Sequence, residues 1–274
     1  MNIKDRSKFL IQRIANSLGY EIHRLPPPQP LIPPPNIMNL VGSTDSENHE
    51  AVGEAIVIQS KELCGLKPNE NILDVGCGCG RFAVPLSKYL NRSGTYEGFD
   101  VVPELIEWCV NNISSKFPNF HFQLANIFNQ YYNPKGQFKP SEYRFPYQDE
   151  SFDLVVLTSV FTHILPQDME NYLSEISRVL RKGKSCLITY FLLNDQSLSF
   201  INAKLSTLNF NYVFDKYRTI SEATPEEAVA YPEEYIRGLY KTFDLEISIP
   251  IKYGAWCGRK EYLGYQDIIV AKKI

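Results

Sequence analysis

The sequence has no uninterrupted apolar run of the roughly 18 residues that a membrane-spanning helix requires, and it has no excess of basic residues. Its 28 Lys and Arg residues are outnumbered by 31 Asp and Glu residues, whereas nucleic-acid binding normally needs a positively charged face. Arg13, Asn16 and Ser17 interrupt the first 25 residues, so the sequence predicts no signal peptide and a cytoplasmic protein. Neither a membrane span nor a nucleic-acid partner is therefore expected.

Zinc-site spacing and a P-loop are also missing. Cys77 and Cys79 are one residue apart, whereas zinc-binding pairs are separated by about two to four. The six cysteines are therefore expected to be reduced thiols, and no metal site is predicted. With 44% hydrophobic and 22% charged residues among 274, the composition is that of a folded globular protein.

The N-terminal region differs from the rest of the chain. Apolar residues recur at helical spacing before Gly19 and alternate with basic ones, which predicts a basic amphipathic helix within residues 1–25. Seven of the 18 prolines lie between residues 26 and 35, so residues 26–44 are predicted to be an extended linker. The helix is expected either to contact the inner face of a membrane or to pack on its own domain or a second subunit.

Beyond residue 44, short apolar strands alternate with helical segments, which predicts βαβ units in a doubly wound, mostly parallel α/β sheet. Residues 45–274 are assigned to this domain, with an aromatic-rich cap at about residues 194–231. The segments expected to be strands are 71–75, 95–100, 121–124, 152–157, 185–192, 245–251 and 267–271. The segments expected to be helices are 51–65, 81–90, 103–116, 168–180 and 233–242, with a turn at Gly183.

A glycine-rich loop follows the first predicted strand. Gly76, Gly78 and Gly80 leave backbone N–H groups accessible where a helix begins, a typical place for a phosphate-bearing or nucleotide-like ligand. The NAD pattern G-x-G-x-x-G is not met, because Arg81 stands at the third glycine position. Asp100 ends the next strand, where a carboxylate can accept both hydroxyls of a ribose.

Residues 72–83 (ILDVGCGCGRFA) resemble the first motif of class I S-adenosylmethionine-dependent methyltransferases. Later motifs match in order at residues 98–100, 126–127, 145–155 and 178–184, although Asn126 replaces the usual Asp. The resemblance implies a Rossmann-like fold with a seven-stranded sheet and S-adenosylmethionine as cofactor. The residues that it places around the cofactor are Asp74, Gly76, Cys77, Gly78, Gly80, Arg81, Asp100, Val101, Asn126, Ile127, Thr158 and Ser159.

The same resemblance places the segment after the fourth strand beside the transferable methyl group. His163 lies in that segment, and a neutral imidazole can accept a hydroxyl proton near pH 7. Two interpretations stay open: His163 is the base, or it only shapes the pocket. His49 is a weaker candidate for a residue that borders the cofactor.

The predicted acceptor site contains Tyr190, Tyr253, Trp256 and Arg259, because aromatic rings and a guanidinium suit a sugar and an anionic group. A packed hairpin with an exposed arginine explains the last three equally well. The expected reaction is O-methylation of a sugar, glycolipid or other small molecule. The alternatives are N-methylation of a small amine and a cofactor-binding protein without turnover.

Overall fold

The structure, a computed structural model, describes residues 31–43 and 45–274. A compact unit begins at Pro33. Residues 33–43 were predicted to belong to the linker, but they are part of this unit: helix α1 (Pro35–Asn39) buries Ile37 and Met38. The predicted N-terminal helix and the first prolines, residues 1–30, lie outside the described residues.

The described residues contain a central sheet of seven strands, in the order β10-β11-β5-β4-β1-β2-β3. Strands β1 to β5 pair in parallel, and β11 is antiparallel to both β5 and β10. The predicted doubly wound, mostly parallel sheet is thereby confirmed. The strands are β1 (Asn71–Val75), β2 (Thr95–Asp100), β3 (Phe120–Leu124), β4 (Phe152–Leu157), β5 (Leu180–Tyr190), β10 (Leu245–Ile247) and β11 (Asp267–Lys273).

The sheet is flanked by helices whose ends follow local chemistry. Asp45 caps α2 by accepting a hydrogen bond from Asn48 N, and Gly65 ends it in the left-handed conformation. Proline occupies the first turn of α4 and of α5, where no amide donor is needed. The helices are α2 (Ser46–Cys64), α3 (Ala83–Leu86), α4 (Pro103–Cys109, extended by a π-helical segment Val110–Ser114), α5 (Pro166–Val179), α6 (Asp195–Asn202) and α7 (Glu233–Thr242).

Two local predictions are wrong. The helix expected over residues 81–90 is reduced to the four residues of α3. Pro85 offers no amide donor, and the turns after it close through bonds between residues three apart, such as Lys88 N to Pro85 O. Gly183 is not a turn between elements. It lies inside β5 with φ +73°, where the pairing register with β4 shifts.

The predicted cap region forms a second, four-stranded sheet in the order β6-β9-β8-β7. Its core is aromatic: the rings of Phe191, Phe210 and Trp256 contact one another. The strands are β6 (Leu192–Leu193), β7 (Tyr212–Val213), β8 (Arg218–Thr219) and β9 (Val229–Pro232). This sheet follows β5 directly, so it lies next to the carboxyl end of the central strands.

The carboxyl ends of β1, β2 and β4 meet at one edge of the central sheet. Open α/β sheets bind their ligands at this edge, where the strand order reverses. Among the described residues, no helix is long and apolar enough to cross a membrane. The six cysteines are all free.

Candidate functional site

The glycine loop turns sharply between β1 and α3. Gly76, Gly78 and Gly80 all have φ values between +56° and +77°. Gly76 N and Cys77 N both donate to Phe99 O, at 2.9 and 3.0 Å, so the loop is attached to β2. A side chain at Gly78 would be disfavoured twice, because φ is positive and its Cβ would lie 2.9 Å from Val41 Cγ1.

Asp100 connects this loop to the start of α4. Its Oδ2 accepts a hydrogen bond from Gly78 N at 2.8 Å, and its Oδ1 accepts one from Val102 N at 3.0 Å. Burial raises the pKa of Asp100, and the backbone donors oppose that shift. Each carboxylate oxygen has a second lone pair that can accept a hydroxyl.

Asp74 and Arg81 give the cavity beside the loop two opposite charges. Burial raises the pKa of Asp74 to about 7, although Tyr96 Oη donates to its Oδ2 at 2.6 Å. Burial lowers the pKa of Arg81, whose guanidinium makes no hydrogen bond or ion pair with any described residue. Both side chains line the cavity. They complement a ligand that carries an ammonium and a carboxylate.

A single cavity of about 690 Å³ extends from the glycine loop to the segment after β4. This volume is within the roughly 300–1,000 Å³ range of small-molecule sites. The predicted residues that the structure brings together around it are Asp74, Gly76, Cys77, Gly78, Arg81, Asp100, Val101, Ile127, Thr158, Ser159 and His163.

Helix α1 and the residues after it form part of the cavity wall. This was not predicted, because residues 26–44 were expected to be an extended linker. Leu40, Val41 and Gly42 line the cavity. Ile37 packs with Cys79, Val102 and Leu105, which fixes this segment over the glycine loop. Apolar residues such as Ile37 and Val41, just after the proline run, were the only sequence indication of this role.

His163 lies in the loop that follows β4. Its Nδ1 is 3.1 Å from Glu226 O. Because a carbonyl oxygen only accepts, Nδ1 carries the proton of the neutral ring and Nε2 keeps its lone pair. Burial lowers the pKa of His163, against the opposing effect of the Glu226 and Glu227 backbone. The ring is therefore uncharged at neutral pH and able to accept a proton.

Glu226 also connects the loop after β3 to the cap. Its Oε1 accepts a hydrogen bond from Asn129 Nδ2 at 2.9 Å, and its Oε2 accepts one from Gln130 N at 3.0 Å. Asn129 Nδ2 donates to His163 O as well, at 3.2 Å. The Tyr132 ring stands edge-on to the His163 ring, with 5.4 Å between centroids. The imidazole is therefore held on several sides.

Two residues predicted to contact the cofactor lie outside the cavity wall. Asn126 is exposed, and its Oδ1 accepts a hydrogen bond from Gln137 N at 3.3 Å. Gly80 closes the turn by donating to Cys77 O, and a Cβ there would lie 2.3 Å from Ile113 Cδ1. Their positions indicate roles in shaping the loops.

The predicted acceptor residues do not line the cavity either. Tyr190 is buried, with its hydroxyl 2.9 Å from Tyr240 Oη. Trp256 is fully buried and donates from Nε1 to Asp267 Oδ2 at 2.7 Å. Arg259 is buried beside Asp267 and lies over the Tyr253 ring, 4.6 Å from its centroid. Trp256 and Arg259 are held in the protein interior by the buried Asp267 carboxylate, which accepts hydrogen bonds from both.

His49 likewise lies outside the cavity lining. It is buried, its Nδ1 contacts Ser43 Oγ at 3.0 Å, and burial lowers its pKa to about 4. Several residues that do line the cavity were missed by the sequence interpretation: Tyr132, Tyr172, Leu263, Tyr265 and Gln266. They come from long loops and from a helix face, where no motif marks them.

The residues present fit S-adenosylmethionine. Arg81 and Asp74 match the carboxylate and ammonium of its methionine end, and the spare lone pairs of Asp100 match ribose hydroxyls. The glycines let a ligand approach the loop without interference from side chains. The cavity is long enough to reach from these groups to His163.

Comparisons with known proteins agree with this geometry. Residues 66–237, more than half of the chain, match the methyltransferase domain family. A tRNA N(3)-cytidine methyltransferase METTL2 from Gallus gallus is 28% identical over 158 residues, covering 56% of this chain and 39% of that protein. The O-methyltransferase cnsE from Penicillium expansum is 26% identical over 144 residues, covering 52% and 45%.

The fold is shared with a solved small-molecule methyltransferase. The 1,6-didemethyltoxoflavin-N1-methyltransferase of Burkholderia thailandensis, solved with S-adenosylhomocysteine, has a TM-score of 0.53 and 16% identity over 92% of this chain and 93% of that one. The chain matches less than half the length of the two curated relatives described above. The family match and the glycine-loop geometry together show that the chain belongs to the class I S-adenosylmethionine-dependent methyltransferases, with S-adenosylmethionine as its cofactor.

Proposed function

We propose that the protein transfers the methyl group of S-adenosylmethionine to a hydroxyl oxygen of a small molecule, with His163 as the base. One observation supports this most directly: Nδ1 of His163 is engaged with Glu226 O, which leaves Nε2 of this cavity-lining residue unprotonated and able to accept. A hydroxyl must lose its proton during methylation, so a base held beside it is expected to accelerate the transfer.

Each group in the cavity has a role in this reaction. Bound S-adenosylmethionine supplies a methyl group on a sulfonium, so that transfer forms an oxygen–carbon bond and leaves a neutral thioether. His163 takes the hydroxyl proton at Nε2. Asp74, Arg81 and Asp100 hold the cofactor's polar groups, and much of the acceleration is expected from this alignment.

Methylation of a small amine is the alternative within this class. An amine that is already neutral needs little help from a base, so His163 would then only shape the pocket. RNA is the alternative suggested by the tRNA-modifying relative. The described cavity wall contains one arginine and no lysine, so it offers few cationic side chains to the phosphates of an RNA.

Product analysis tests the proposal. We expect the labelled methyl group to appear on the oxygen of a molecule that carries both a hydroxyl and an amine, such as 5-amino-1-naphthol. Nuclear magnetic resonance of the purified product identifies the methylated atom. Transfer to the nitrogen alone would contradict O-methylation.

Asp100→Ala is expected to weaken binding of S-adenosylhomocysteine by about 1–3 kcal/mol, because ribose hydroxyls and the Gly78 N–H lose their acceptor. Calorimetry measures the change. Asp100→Asn retains one carbonyl acceptor and serves as the matched variant, with a smaller expected loss. Equal affinity of Asp100→Ala and the parent would contradict the ribose assignment.

Removal of residues 1–32 is expected to leave folding and cofactor affinity unchanged, because the compact unit begins at Pro33. Removal of residues 1–45 also deletes Ile37 and Val41 from above the glycine loop, so we expect affinity to fall at least about tenfold. Thermal melting and calorimetry on both chains check this. Equal affinities would show that α1 does not help to hold the cofactor.

We also propose that the basic N-terminal segment, residues 1–25, contacts the inner face of a membrane. Its proposed partner is an anionic lipid surface, so pelleting with anionic vesicles is expected for the full chain and not after removal of residues 1–32. The same result for both chains would contradict a membrane role.

A further inference from the structure

The wall of the cavity is charged at one end only. Among the described residues, its charged side chains are Asp74 near the end of β1, Arg81 after the glycine loop and Asp100 at the end of β2. His163 also lines the cavity and is neutral. The remaining wall around His163 is built from the loop after β3, the segment after β4 and the loop before β11. This end gives an acceptor no cation to pair with a phosphate or carboxylate.

Two polar side chains at this end, Asn129 and Ser159, already have hydrogen-bond partners within the protein. Asn129 uses both amide hydrogens, on His163 O and Glu226 Oε1, and its Oδ1 accepts from Tyr131 N and Tyr132 N. An asparagine side chain has two donors and two lone pairs, so none is left for a ligand.

Ser159 and its neighbours follow the same pattern. Ser159 Oγ donates to Gln266 Oε1 at 3.1 Å, and Ser159 N donates to Thr189 Oγ1 at 2.8 Å. A sugar presents several hydroxyls at once, and Asn129 has no free hydrogen-bonding group to offer them. Hydroxyls that lose water without gaining a partner weaken binding.

Apolar and aromatic side chains make up the rest of this end. Phe128, Tyr132, Tyr172 and Tyr265 line it, with Leu263 beside them. Phe128, Leu263 and Tyr265 are 42%, 48% and 49% exposed, and contiguous apolar patches of this kind mark contacts with a ligand or partner. Aromatic walls favour flat aromatic ligands, because ring pairs gain from offset and edge-on contacts.

Building on the proposed O-methylation, we infer that the acceptor is an uncharged aromatic molecule and that its methylated hydroxyl is phenolic. The reaction then moves the phenol proton to His163 Nε2, forms the oxygen–methyl bond and releases the neutral thioether of the cofactor. A phosphorylated acceptor would find no cation at this end of the cavity, and a glycan would find no free hydrogen-bonding group on Asn129.

The chemistry of the base supports a phenol. Burial lowers the pKa of His163, which makes it a weak base. A phenol, with a pKa near 10 as in tyrosine, gives up its proton far more readily than an aliphatic alcohol. A weak base therefore suits a phenol better than a sugar hydroxyl.

The test compares three probes with the full chain and labelled S-adenosylmethionine: 2-naphthol, 6-hydroxy-2-naphthoate and methyl glucoside. We expect kcat/KM for 2-naphthol to exceed the other two values at least tenfold. Equal or better use of the naphthoate or the glucoside overturns the inference, and so does failure of 2-naphthol to bind the protein saturated with S-adenosylhomocysteine in calorimetry.

The outcomes separate this inference from the proposed function. Methylation of methyl glucoside on oxygen would retain O-methylation and overturn the aromatic acceptor. Methylation of 2-naphthylamine on nitrogen, with 2-naphthol bound but not methylated, would retain the aromatic site and overturn O-methylation.

A charge-introducing variant tests the lining itself. Leu263→Arg places a cation at the cavity wall, so we expect the preference for 2-naphthol over 6-hydroxy-2-naphthoate to fall at least tenfold. Val213→Arg is the matched control, because Val213 is 63% exposed on β7 and lies outside the cavity wall. An unchanged preference in Leu263→Arg, or the same change in Val213→Arg, contradicts the inference.

Discussion

Substitution of His163 by alanine is expected to lower kcat for methyl transfer about 10²–10⁴-fold, the usual contribution of a positioned base. Affinity for S-adenosylhomocysteine should change little, because the groups that fit the cofactor's polar ends are Asp74, Arg81 and Asp100. The measurement is kcat with 2-naphthol at saturating S-adenosylmethionine, together with calorimetry of cofactor binding.

His121→Ala is the matched control for that experiment. His121 lies on β3, is half exposed and bonds through Nδ1 to Glu97 Oε1 at 2.7 Å, away from the cavity wall. Its removal should leave kcat at the parent value. Near-parent turnover in His163→Ala, or loss of cofactor binding in that variant, would show that His163 only shapes the pocket.

Gly78→Val is expected to abolish measurable binding of S-adenosylhomocysteine, with affinity reduced at least about a hundredfold, or about 2.8 kcal/mol. The branched side chain would meet Val41 and enter the cavity, and φ at this position is +56°. Calorimetry on the folded variant measures the loss, with circular dichroism to establish folding.

Gly183→Val separates backbone strain from obstruction of the cavity. Gly183 has φ +73°, but a Cβ there meets no atom within 4 Å, and the residue lies outside the main cavity. We expect this variant to be destabilised while it binds cofactor as the parent does. A folded Gly78→Val protein with normal affinity would refute the assignment of the loop.

The part of the site that could be predicted from sequence is the part specified locally. Asp74, Gly78 and Asp100 follow directly from the ends of β1 and β2, and parallel pairing of these strands brings their ends together. The strands themselves were predicted within a few residues, because each is a short apolar run between turn residues.

Long-range contacts account for what could not be predicted. Whether Trp256 and Arg259 face a pocket or a core depends on Asp267, a buried carboxylate that accepts from both. Burial raises the pKa of Asp267 to about 6. A buried carboxylate is costly unless hydrogen-bond donors surround it, so Trp256 and Arg259 stabilise it where they lie. No spacing in the sequence reveals that pairing.

The wall contributed by α1 was missed for a different reason. The prolines that precede Ile37 predict an extended chain, since they remove amide donors. Here proline occupies the first helical position of α1, where no donor is required. Ile37 and Met38 are both buried, and Ile37 packs with Cys79, Val102 and Leu105. Burial of two side chains decided the local structure.

The pH dependence of single-turnover methyl transfer tests the central claim, that His163 is the base, most directly. Burial lowers the pKa of His163 below 6.5, so the neutral form persists as the pH falls to that value and is lost below it. We predict a rate that declines on the acid side with its midpoint below 6.5, the ordinary pKa of an imidazole, and no such decline in His163→Ala. The same acid decline in His163→Ala as in the parent would contradict the assignment.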